Sequence, residues 1–396
     1  MAELLDLDFD MFLTADEAQK ICPINLEKEG YRFLRVIERE NGQTSIIRTF
    51  GVAPHYSHPG EGEIIASMKN TTMPPAKVSF LSGHGERDIN RVGDAGYYNF
   101  TQDISYNEAL VNNGFVVEPF ELNLKEGKHI PEDTGILYIS QVKEPLSSEE
   151  LNEIKKYIAE GGNMLISGDP GCQDNMNPIM EELGVEFMPG RLMPNNPDIS
   201  SNLNLATPPV TAPKLPQTRF AWMKHWDYRV PMVNAVGIDL TQAKVKGWDT
   251  FTLMTTDSLG CWNEKTHIAF TDKKAELNPE TGEKEECFTM ILHMSRKVGE
   301  KEQRVVVMGD SDWCTNGEMG TYRQKVNSEP PITIRYNFSY LTQNEYPVYV
   351  EEAYGRDNKL FLGLGSVPWI KLFCMGILPL ILTITCITIQ VKRRRK

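Results

Sequence analysis

The sequence predicts an α/β protein with a mostly parallel sheet, helices on both faces, an inserted β-rich or irregular region and one carboxyl-terminal transmembrane helix. Two observations favour this fold class. From residue 77 to about residue 190, apolar β-prone stretches alternate with amphipathic helical stretches, which is the pattern of strands joined by crossover helices. Three apolar stretches also end in a glycine followed by polar or acidic residues, as strands do where such a sheet forms a site.

The three strand-to-glycine junctions supply the candidate functional residues. They read KVSFLSGHGER at Lys77–Arg87, NMLISGDPG at Asn163–Gly171 and RVVVMGDSD at Arg304–Asp312. Sites in open parallel sheets form just beyond the carboxyl ends of strands, so we expect the three junctions at one edge of one sheet. The glycines permit positive φ and a close approach of a ligand. The predicted ligand- or partner-binding residues are Gly83, His84, Gly85, Glu86, Arg87, Asp169, Asp310, Ser311 and Asp312.

Turn and capping signals place the remaining elements. Asn41-Gly42 separates two β-prone stretches and predicts a hairpin. Apolar spacing predicts one helix from about Asn99 to Asn113, and acidic residues in a first turn predict another over Ser148–Glu160. Further strands are expected at Thr250–Thr255, His267–Phe270, Phe288–His293 and Arg304–Met308, the first three antiparallel and peripheral, with a closing helix at Pro331–Gln343.

These elements suggest an order of domains along the chain. Residues 1–73 are expected to form a hairpin and a helix that are the remnant of a larger domain. The α/β domain follows over residues 74–350, with an excursion at 189–300. Residues 351–371 are expected to be a linker, 372–391 the transmembrane helix and 392–396 a basic tail. The excursion contains an aromatic cluster that packs onto the sheet, forms a contact surface or serves as a sugar-stacking platform, namely Trp222, His225, Trp226 and Tyr228.

The overall composition excludes several functions. The net charge is −13, whereas nucleic-acid binding needs clustered Lys and Arg, so we expect no nucleic-acid partner. The seven cysteines contain no CxxC pair and give no zinc spacing, although a disulfide among Cys172, Cys261, Cys287 and Cys314 stays open for an extracytoplasmic domain. The sequence has no GxxxxGK(S/T) motif, so ATP hydrolysis must reside in another polypeptide.

The membrane signal lies at the carboxyl end. Leu372–Val391 reads LFCMGILPLILTITCITIQV without a charged residue, which is long enough to cross a hydrocarbon layer of about 30 Å. Trp369 lies at one boundary and the basic run Lys392–Lys396 at the other. The positive-inside rule therefore places the tail in the cytoplasm and the bulk of the chain on the far side of the membrane.

The amino terminus carries no visible export signal. Residues 1–19 lack a basic region followed by an apolar core. Either the domain lies in the cytosol on a tail anchor, or Met1 is not the true start and transmembrane helices precede it. We favour the second explanation.

The chain resembles a known family at Phe80–Glu86 (FLSGHGE), at Gly309–Trp313 (GDSDW) and in its Leu-Pro-containing terminal helix with a basic tail. These features are similar to the GldG-like auxiliary components of ABC transporters, which belong to gliding-motility and exporter systems of Bacteroidetes-like bacteria. The resemblance covers roughly Phe50 to the end. It implies a flavodoxin-like domain, related to class I glutamine amidotransferases and ThuA-like proteins, in the periplasm on a bacterial inner-membrane anchor. It also implies ABC permease and ATPase subunits as partners. Family members usually carry transmembrane helices at both ends, and this sequence shows only the carboxyl-terminal one.

The residues of an amidotransferase-type enzyme do not occur in the required pattern. Such an enzyme needs a nucleophilic cysteine on a tight strand-to-helix turn, and the turn after Gly135–Ser140 reads QVKEP. Cys172 follows another strand, but the preceding Pro170 breaks an elbow motif. Ser82 is expected to bond to the backbone rather than to act as a nucleophile. We therefore predict no catalytic residue.

The same junctions suit other chemistry less well. Histidine and acids could bind a metal, but no HxxxH or HxH spacing supports this, so we expect neither metal nor cofactor. Arg87 is expected to pair locally with Glu86 or to meet an anion.

The resulting prediction is a non-catalytic, membrane-anchored accessory subunit of an ABC-type transport or gliding-motility complex. It would bind a partner or polymer through its strand-end loops. One alternative is a membrane-anchored hydrolase or amidotransferase-like enzyme that uses His84, Glu86 and the Asp residues at neighbouring strand ends. A third possibility is a tail-anchored cytosolic scaffold.

Overall fold

A seven-stranded sheet organises the larger part of the chain in the computed structural model, which describes residues 8, 11–22, 24–52, 55–209, 227, 229–257, 260–266, 275–323, 326–328, 330–348 and 367–394. The chain divides into two units, Met1–Tyr349 and Val350–Lys396, and the sheet belongs to the first. The described strands are β1 (Leu34–Glu38), β2 (Thr44–Arg48), β3 (Phe50–Val52), β4 (His55–Ser57), β5 (Ala76–Ser82), β6 (Phe115–Glu121), β7 (Ile136–Ser140), β8 (Asn163–Ser167), β9 (Glu186–Phe187), β10 (Arg191–Pro194), β11 (Leu203–Ala206), β12 (Val230–Val233), β13 (Ile238–Asp239), β14 (Asp249–Thr255), β15 (Cys261–Glu264), β16 (Thr289–Val298) and β17 (Lys301–Met308).

The described helices connect and cover these strands. They are α1 (Ala15–Ile21), α2 (Glu61–Asn70), α3 (Tyr98–Thr101), α4 (Ser148–Ala159), α5 (Gln173–Met180), α6 (Asn316–Gly320), α7 (Pro330–Leu341), α8 (Val367–Leu372) and α9 (Leu378–Arg394). Short 3₁₀ turns occur at Leu110–Asn112, Leu124–Glu126, Glu181–Leu183 and Pro279–Thr281.

The main sheet has the strand order β6-β5-β7-β8-β17-β16-β14. The first five strands run parallel, and numbered along the chain they follow the order 2-1-3-4-5 of flavodoxin-like sheets. β16 runs antiparallel to both of its neighbours, β17 and β14. The predicted mixed α/β class with a mostly parallel sheet is therefore confirmed. The strand order reverses between β5 and β7, the position at which sheets of this kind bind ligands.

Both faces of the sheet are covered, which explains the nearly continuous apolar strands. Every residue of β7 is buried, and so are the last four residues of β8 and of β17. On one face, α4 and α5 contribute Ile154, Ile158, Met176 and Ile179 to a core with β7 and β8. On the other face, α2, α3 and α7 contribute Ala66, Phe100, Ile334 and Phe338 to a second core. Helices therefore lie on both faces, as the sequence predicts.

The inserted region between β8 and β17 is rich in short strands. β9 pairs with β13, β10 with β15 and β11 with β12, each pair antiparallel. β14 and β16, which were expected to be peripheral, instead extend the main sheet beyond β17. The strand predicted at His267–Phe270 lies outside the described residues, as does the aromatic cluster of Trp222, His225, Trp226 and Tyr228.

The predicted hairpin forms, but the helix predicted over Asn99–Asn113 does not. β1 and β2 pair antiparallel around the turn that contains Gly42, whose φ is +82°. The helix stops after Thr101, because the Asp103 carboxylate accepts the backbone N–H of Ser105 at 2.8 Å. The side-chain amide of Asn112 then donates to the Asp103 carbonyl at 3.1 Å. Short polar side chains that bond to nearby backbone compete with helix formation, and apolar spacing alone does not reveal that competition.

The second unit contains one long apolar helix. Pro368–Arg394 spans 27 residues through α8, a π turn at Phe373–Ile377 and α9. Within the described ranges it is the one helix long and apolar enough to cross a membrane, which supports single-pass anchoring. Three threonine hydroxyls in α9 donate to backbone carbonyls four residues earlier. Their oxygens can still accept a hydrogen bond from another helix, but their hydrogens are already used: Thr383, Thr385 and Thr388.

Candidate functional site

The loop after β5 crosses the point where the strand order reverses. Gly83 and Gly85 have φ of +112° and +82°, which lets the chain turn sharply after the buried strand. The His84 carbonyl accepts the backbone N–H groups of Lys143 at 2.8 Å and Glu144 at 3.0 Å. The glycine junction after β5 is therefore fastened to the loop after β7, its neighbour in the sheet.

The His84 ring lies between two carboxylates. Its Nδ1 lies 3.5 Å from Glu86 Oε1, and its Nε2 lies 3.5 Å from Glu150 Oε2. Glu150 belongs to the first turn of α4 and exchanges capping hydrogen bonds with Ser147. Although burial acts in the opposite direction, these bonds from Ser147 and the nearby His84 lower the pKa of Glu150. Sequence reasoning missed Glu150, which is distant in the chain and resembles any capping glutamate.

Glu86 is the more buried of the two carboxylates. Its side chain is 1% exposed, and its Oε2 accepts the backbone N–H of His84 at 2.6 Å. Burial raises the pKa of Glu86, against the hydrogen bonds from the Glu86 and His84 backbone that favour the ionised form. The hydrogen bond from the His84 backbone to Glu86 fixes the shape of the loop.

Arg87 links the first junction to the other two. Its Nη2 lies 2.5 Å from Asp312 Oδ1 and 3.5 Å from Asp169 Oδ2, and its backbone N–H donates to Ser140 Oγ at 3.2 Å. Burial alone would lower the pKa of Arg87, but Asp312 and further negative groups raise it, so the guanidinium stays charged. The expectation of a local pair with Glu86 is wrong, since the guanidinium pairs with acids from two other strands.

Asp169 and Asp310 are buried where β8 and β17 end side by side. Ser311 donates its backbone N–H to Asp169 at 2.6 Å. Asp310 accepts the backbone N–H groups of Asp312 at 2.6 Å and Val233 at 2.7 Å. Ser311 and Asp310 are fully buried, and Asp169 is 6% exposed. The three predicted junctions thus meet at one edge of the sheet.

The pKa values of the three acids Asp169, Asp310 and Asp312 are all raised. Burial, followed by the charge of Asp312, raises the pKa of Asp169 to about 6. Burial and the neighbouring charge of Asp169 raise the pKa of Asp310 well above its ordinary value. Burial also raises the pKa of Asp312, although Arg87 acts against this. Low polarity and like charges favour the neutral acid in each case.

An aromatic layer supports this edge from inside the sheet. The Tyr97 hydroxyl donates to the Ser311 carbonyl at 2.6 Å and lies 3.5 Å from the Tyr138 hydroxyl. Burial raises the pKa of both phenols well above the ordinary value, so both remain neutral. Tyr97 carries no motif that would single it out in the sequence, which is why its role was missed.

Gln141, directly after the central strand β7, has a strained backbone. Its φ is +42°, a conformation that side chains other than glycine rarely adopt, and its N–H donates to the Ser167 carbonyl at 2.9 Å. Strained turns after a central strand present the nucleophile in hydrolases of related architecture. The residue at this turn is an amide, which is not a nucleophile.

The other nucleophile candidates are engaged or shielded. The Ser82 hydroxyl donates to the Phe120 carbonyl at 2.9 Å, as expected for a serine that bonds to the backbone. Cys172 is 5% exposed, and burial, aided by the charge of Asp169, raises the pKa of its thiol. Cys172, Cys261, Cys287 and Cys314 are free thiols, so the open possibility of a disulfide among them is not realised. Within the described residues, no group of three His, Cys, Asp or Glu side chains is arranged to hold a metal ion.

Comparison with known proteins gives one family match. Residues 75–220, less than half of the chain, match the family model described as an ABC-type uncharacterized transport system, which supports an auxiliary component of an ABC transporter. No curated protein matches the chain.

Two solved structures are similar at low identity. The mmIFT52 N-terminal domain is 12% identical, with 67% of this chain and 97% of that chain covered and a TM-score of 0.43. The exo-beta-1,4-mannosidase Op5Man5 from Opitutaceae bacterium strain TAV5 is also 12% identical, with 62% of this chain and 33% of that chain covered and a TM-score of 0.30. At these TM-scores neither likeness assigns a function.

Proposed function

We propose that the chain is a non-catalytic accessory subunit of an ABC-type transport complex and that it binds a partner through the loops after its parallel strands. The family match carries this proposal, because residues 75–220 include the ends of β5, β7 and β8 and therefore two of the three junctions. The third junction, Asp310–Asp312, adds to the same edge through Arg87 and Asp169. The proposed partners are the permease and ATPase subunits of the transporter.

The geometry of the edge supports binding rather than turnover. Ion pairs and backbone hydrogen bonds hold the loop after β5 to the loops after β7, β8 and β17, as a preformed interface requires. The strained turn at the end of the central strand carries Gln141, an amide. Exposed backbone at Gly83 and Gly85 allows a partner to approach closely.

The placement we propose is a single-pass protein of the bacterial inner membrane. The apolar helix Pro368–Arg394 supplies the anchor, and its basic end at Lys392–Arg394 favours a cytoplasmic carboxyl terminus with the sheet in the periplasm. A GldG-like role in gliding motility is the narrower form of the same proposal. It rests on the FLSGHGE and GDSDW segments.

A paired substitution tests the proposed role. The full chain is co-expressed with ABC permease and ATPase subunits from the same organism, in wild-type form and as His84→Ala with Glu86→Ala. We expect co-purification of the permease to fall at least about tenfold, because the variant removes the His84 ring from the proposed surface and the carboxylate that accepts the His84 backbone N–H. Unchanged co-purification from a folded variant would contradict the proposal.

A second histidine–glutamate pair provides a matched control. His129 Nδ1 lies 3.2 Å from Glu153 Oε1 in a groove before β7, where the opposite edge of the sheet lies. The variant His129→Ala with Glu153→Ala removes the same chemical groups and should leave co-purification intact. This control separates loss of the proposed surface from a general effect of removing a histidine and an acid.

The alternative is an enzyme, and one observation favours it. The His84 ring lies within 3.5 Å of both Glu86 and Glu150, an arrangement that could move a proton. The same variants decide the matter. A hydrolytic activity that vanishes in the His84→Ala and Glu86→Ala protein while co-purification persists would favour the enzyme over the accessory subunit.

A further inference from the structure

The side chains of Asp169 and Asp310 are buried where β8 and β17 end side by side. Each also accepts backbone N–H donors, one at Asp169 and two at Asp310. Two ionised acids in these positions would place like charges side by side in a region of low polarity, which favours a protonated carboxyl. We therefore expect the pair to hold one proton at neutral pH.

The pair is closed to larger ligands. Asp310 and Ser311 are fully buried, and Asp169 is 6% exposed. Within the described residues, no set of three metal-ligating side chains is arranged around them. A proton is the species that fits such a site.

The guanidinium of Arg87 interacts with the charge of the Asp169–Asp310 pair. Arg87 Nη2 lies 3.5 Å from Asp169 Oδ2, while the same atom lies 2.5 Å from Asp312 Oδ1. The guanidinium belongs to the loop after β5, and the acids belong to the loops after β8 and β17. A change of charge at Asp169 therefore changes how strongly these loops are held together.

We propose that Asp169 and Asp310 form a buried proton-binding switch that sets how firmly Arg87 fastens the loop after β5 to the loops after β8 and β17. The proposal adds regulation to the proposed partner-binding edge and rests on that function only for what the loop binds. At neutral pH the pair holds one proton and one negative charge. Acidification adds a second proton at Asp169, so Arg87 then keeps the ion pair with Asp312 and loses the one with Asp169.

The direction of the switch follows from its surroundings. The pKa of Asp169 is raised to about 6 by burial and by Asp312, so the pair takes up its second proton just below neutral pH. Other charged or titratable groups surround this cluster of the Asp169–Asp310 pair, Arg87 and Asp312. They are Tyr97 from the start of α3, Lys143 after β7, Cys172 after β8, Cys314 after β17 and Glu318 in α6. Cys172 lies beside Asp169, and burial raises the pKa of its thiol, as it does for the phenol of Tyr97, so both stay neutral across this range.

Hydrogen exchange on the full chain in detergent micelles tests the switch. Exchange of the backbone amides of residues 83–96, corrected for intrinsic pH effects, is compared at about pH 5 and about pH 7.5, on either side of the expected transition. We expect exchange to be about three- to tenfold faster at the lower pH, since one of two charge contacts of Arg87 is lost. Exchange in α2, whose Ser67 hydroxyl donates to the Ile46 carbonyl of β2, should not share this change.

Two variants sharpen the result. Asp169→Asn cannot ionise and should show the fast exchange of the acid form at both pH values. Asp174→Asn, which removes an exposed acid in the first turn of α5, should behave as the wild type. A wild-type loop with no pH dependence, or an Asp169→Asn loop that retains the wild-type dependence, would overturn the proposal.

Infrared spectroscopy of the wild-type chain adds a test that needs no variant to fold. A protonated carboxyl has a carbonyl stretch distinct from a carboxylate, and one such band should persist at neutral pH and be protected from deuterium. Its absence overturns the switch. Hydrogen exchange reports on the loop and infrared spectroscopy on the carboxyl pair, and neither depends on co-purification of the permease. A pH-dependent loop without permease binding would therefore contradict the proposed function and leave the switch intact.

Discussion

Arg87 and Asp312 lie 225 positions apart in the chain, yet Arg87 Nη2 and Asp312 Oδ1 are 2.5 Å apart. The first residue follows β5 and the second follows β17, strands separated in the sheet by β7 and β8. Parallel strands place all of their carboxyl ends at one edge, and the long guanidinium side chain spans the distance between them. This contact turns three separate loops into one surface.

Removal of the Arg87 charge should destabilise the domain. Arg87→Met leaves the buried Asp169 and the half-buried Asp312 without their cation, and breaking a pair of this kind costs about 3 kcal/mol. Urea unfolding of the full chain in micelles measures the change. The control is Lys155→Met, which breaks the pair with Glu181 on the surface and should cost at most about 0.5 kcal/mol. Equal losses in the two variants would contradict the role assigned to Arg87.

Replacement of Gln141 by glycine should relieve strain. A residue other than glycine at φ of +42° costs about 1 kcal/mol or more, so Gln141→Gly should raise the stability of the fold by about that amount. Lys143→Gly, two positions later and outside the left-handed region, should instead lower stability by about 0.5–1 kcal/mol. Thermal unfolding of the two variants compares them. A glycine that destabilises position 141 would show that the amide side chain contributes more than the backbone strain costs.

His293 should make the domain sensitive to acid. Its ring is fully buried against Tyr336 and Tyr340, and its Nε2 lies 3.0 Å from Asn337 Oδ1. Burial lowers its pKa from 6.5 to about 4, so the unfolded chain binds the proton first as the pH falls. The stabilisation is complete above about pH 6.5 and is lost toward about pH 4, amounting to about 3 kcal/mol.

A comparison of His293→Gln with the exposed His129→Gln isolates that effect. In His293→Gln the free energy of unfolding should fall less steeply as the pH is lowered. In His129→Gln it should fall as in the wild type. The buried Asp169 acts in the opposite sense, since its raised pKa makes its ionisation unfavourable as the pH rises. The difference between wild type and variant, rather than the wild-type curve itself, is therefore the quantity to measure. Identical acid limbs in wild type and His293→Gln would contradict the buried neutral histidine.

Cys287 gives a direct test of the proposed periplasmic placement. Its thiol is free and exposed, whereas Cys172, Cys261 and Cys314 are buried. A thiol reagent that cannot cross the inner membrane should label the wild-type chain in spheroplasts, and Cys287→Ser should abolish most of the labelling. Labelling that appears only after the membrane is broken would place the sheet in the cytosol and favour the tail-anchored scaffold.

The sequence predicts the frame of the site better than its contacts. Apolar runs that end in glycine identify β5, β8 and β17, because a strand buried on both faces needs continuous apolar residues and a sharp exit. The helix over Ser148–Ala159 follows from its capping residue and acidic first turn, with only the last residue misplaced. These features are local, so a single stretch of sequence contains them.

The remaining contacts depend on the chain folding in three dimensions. Arg87 was expected to pair with the adjacent Glu86, but Glu86 turns its carboxylate to the His84 backbone while Arg87 crosses to Asp312. Tyr97 donates to the Ser311 carbonyl from a position two residues before the long helix that apolar spacing predicted over Asn99–Asn113. The failure of that helix has a local cause in Asp103 and Asn112, whose side chains bond to the backbone. Side-chain competition of this kind leaves no periodic signal.

The most direct test of the central claim is site-specific photo-cross-linking of the full chain in its native membrane. A photoreactive amino acid replaces Asn90, an exposed residue of the loop after β5, or Glu132, an exposed residue in the groove at the opposite edge of the sheet. We expect a cross-link to the permease or ATPase subunit from position 90 and none from position 132. Cross-links from position 132 alone would contradict the assignment of the strand-end loops as the partner-binding surface.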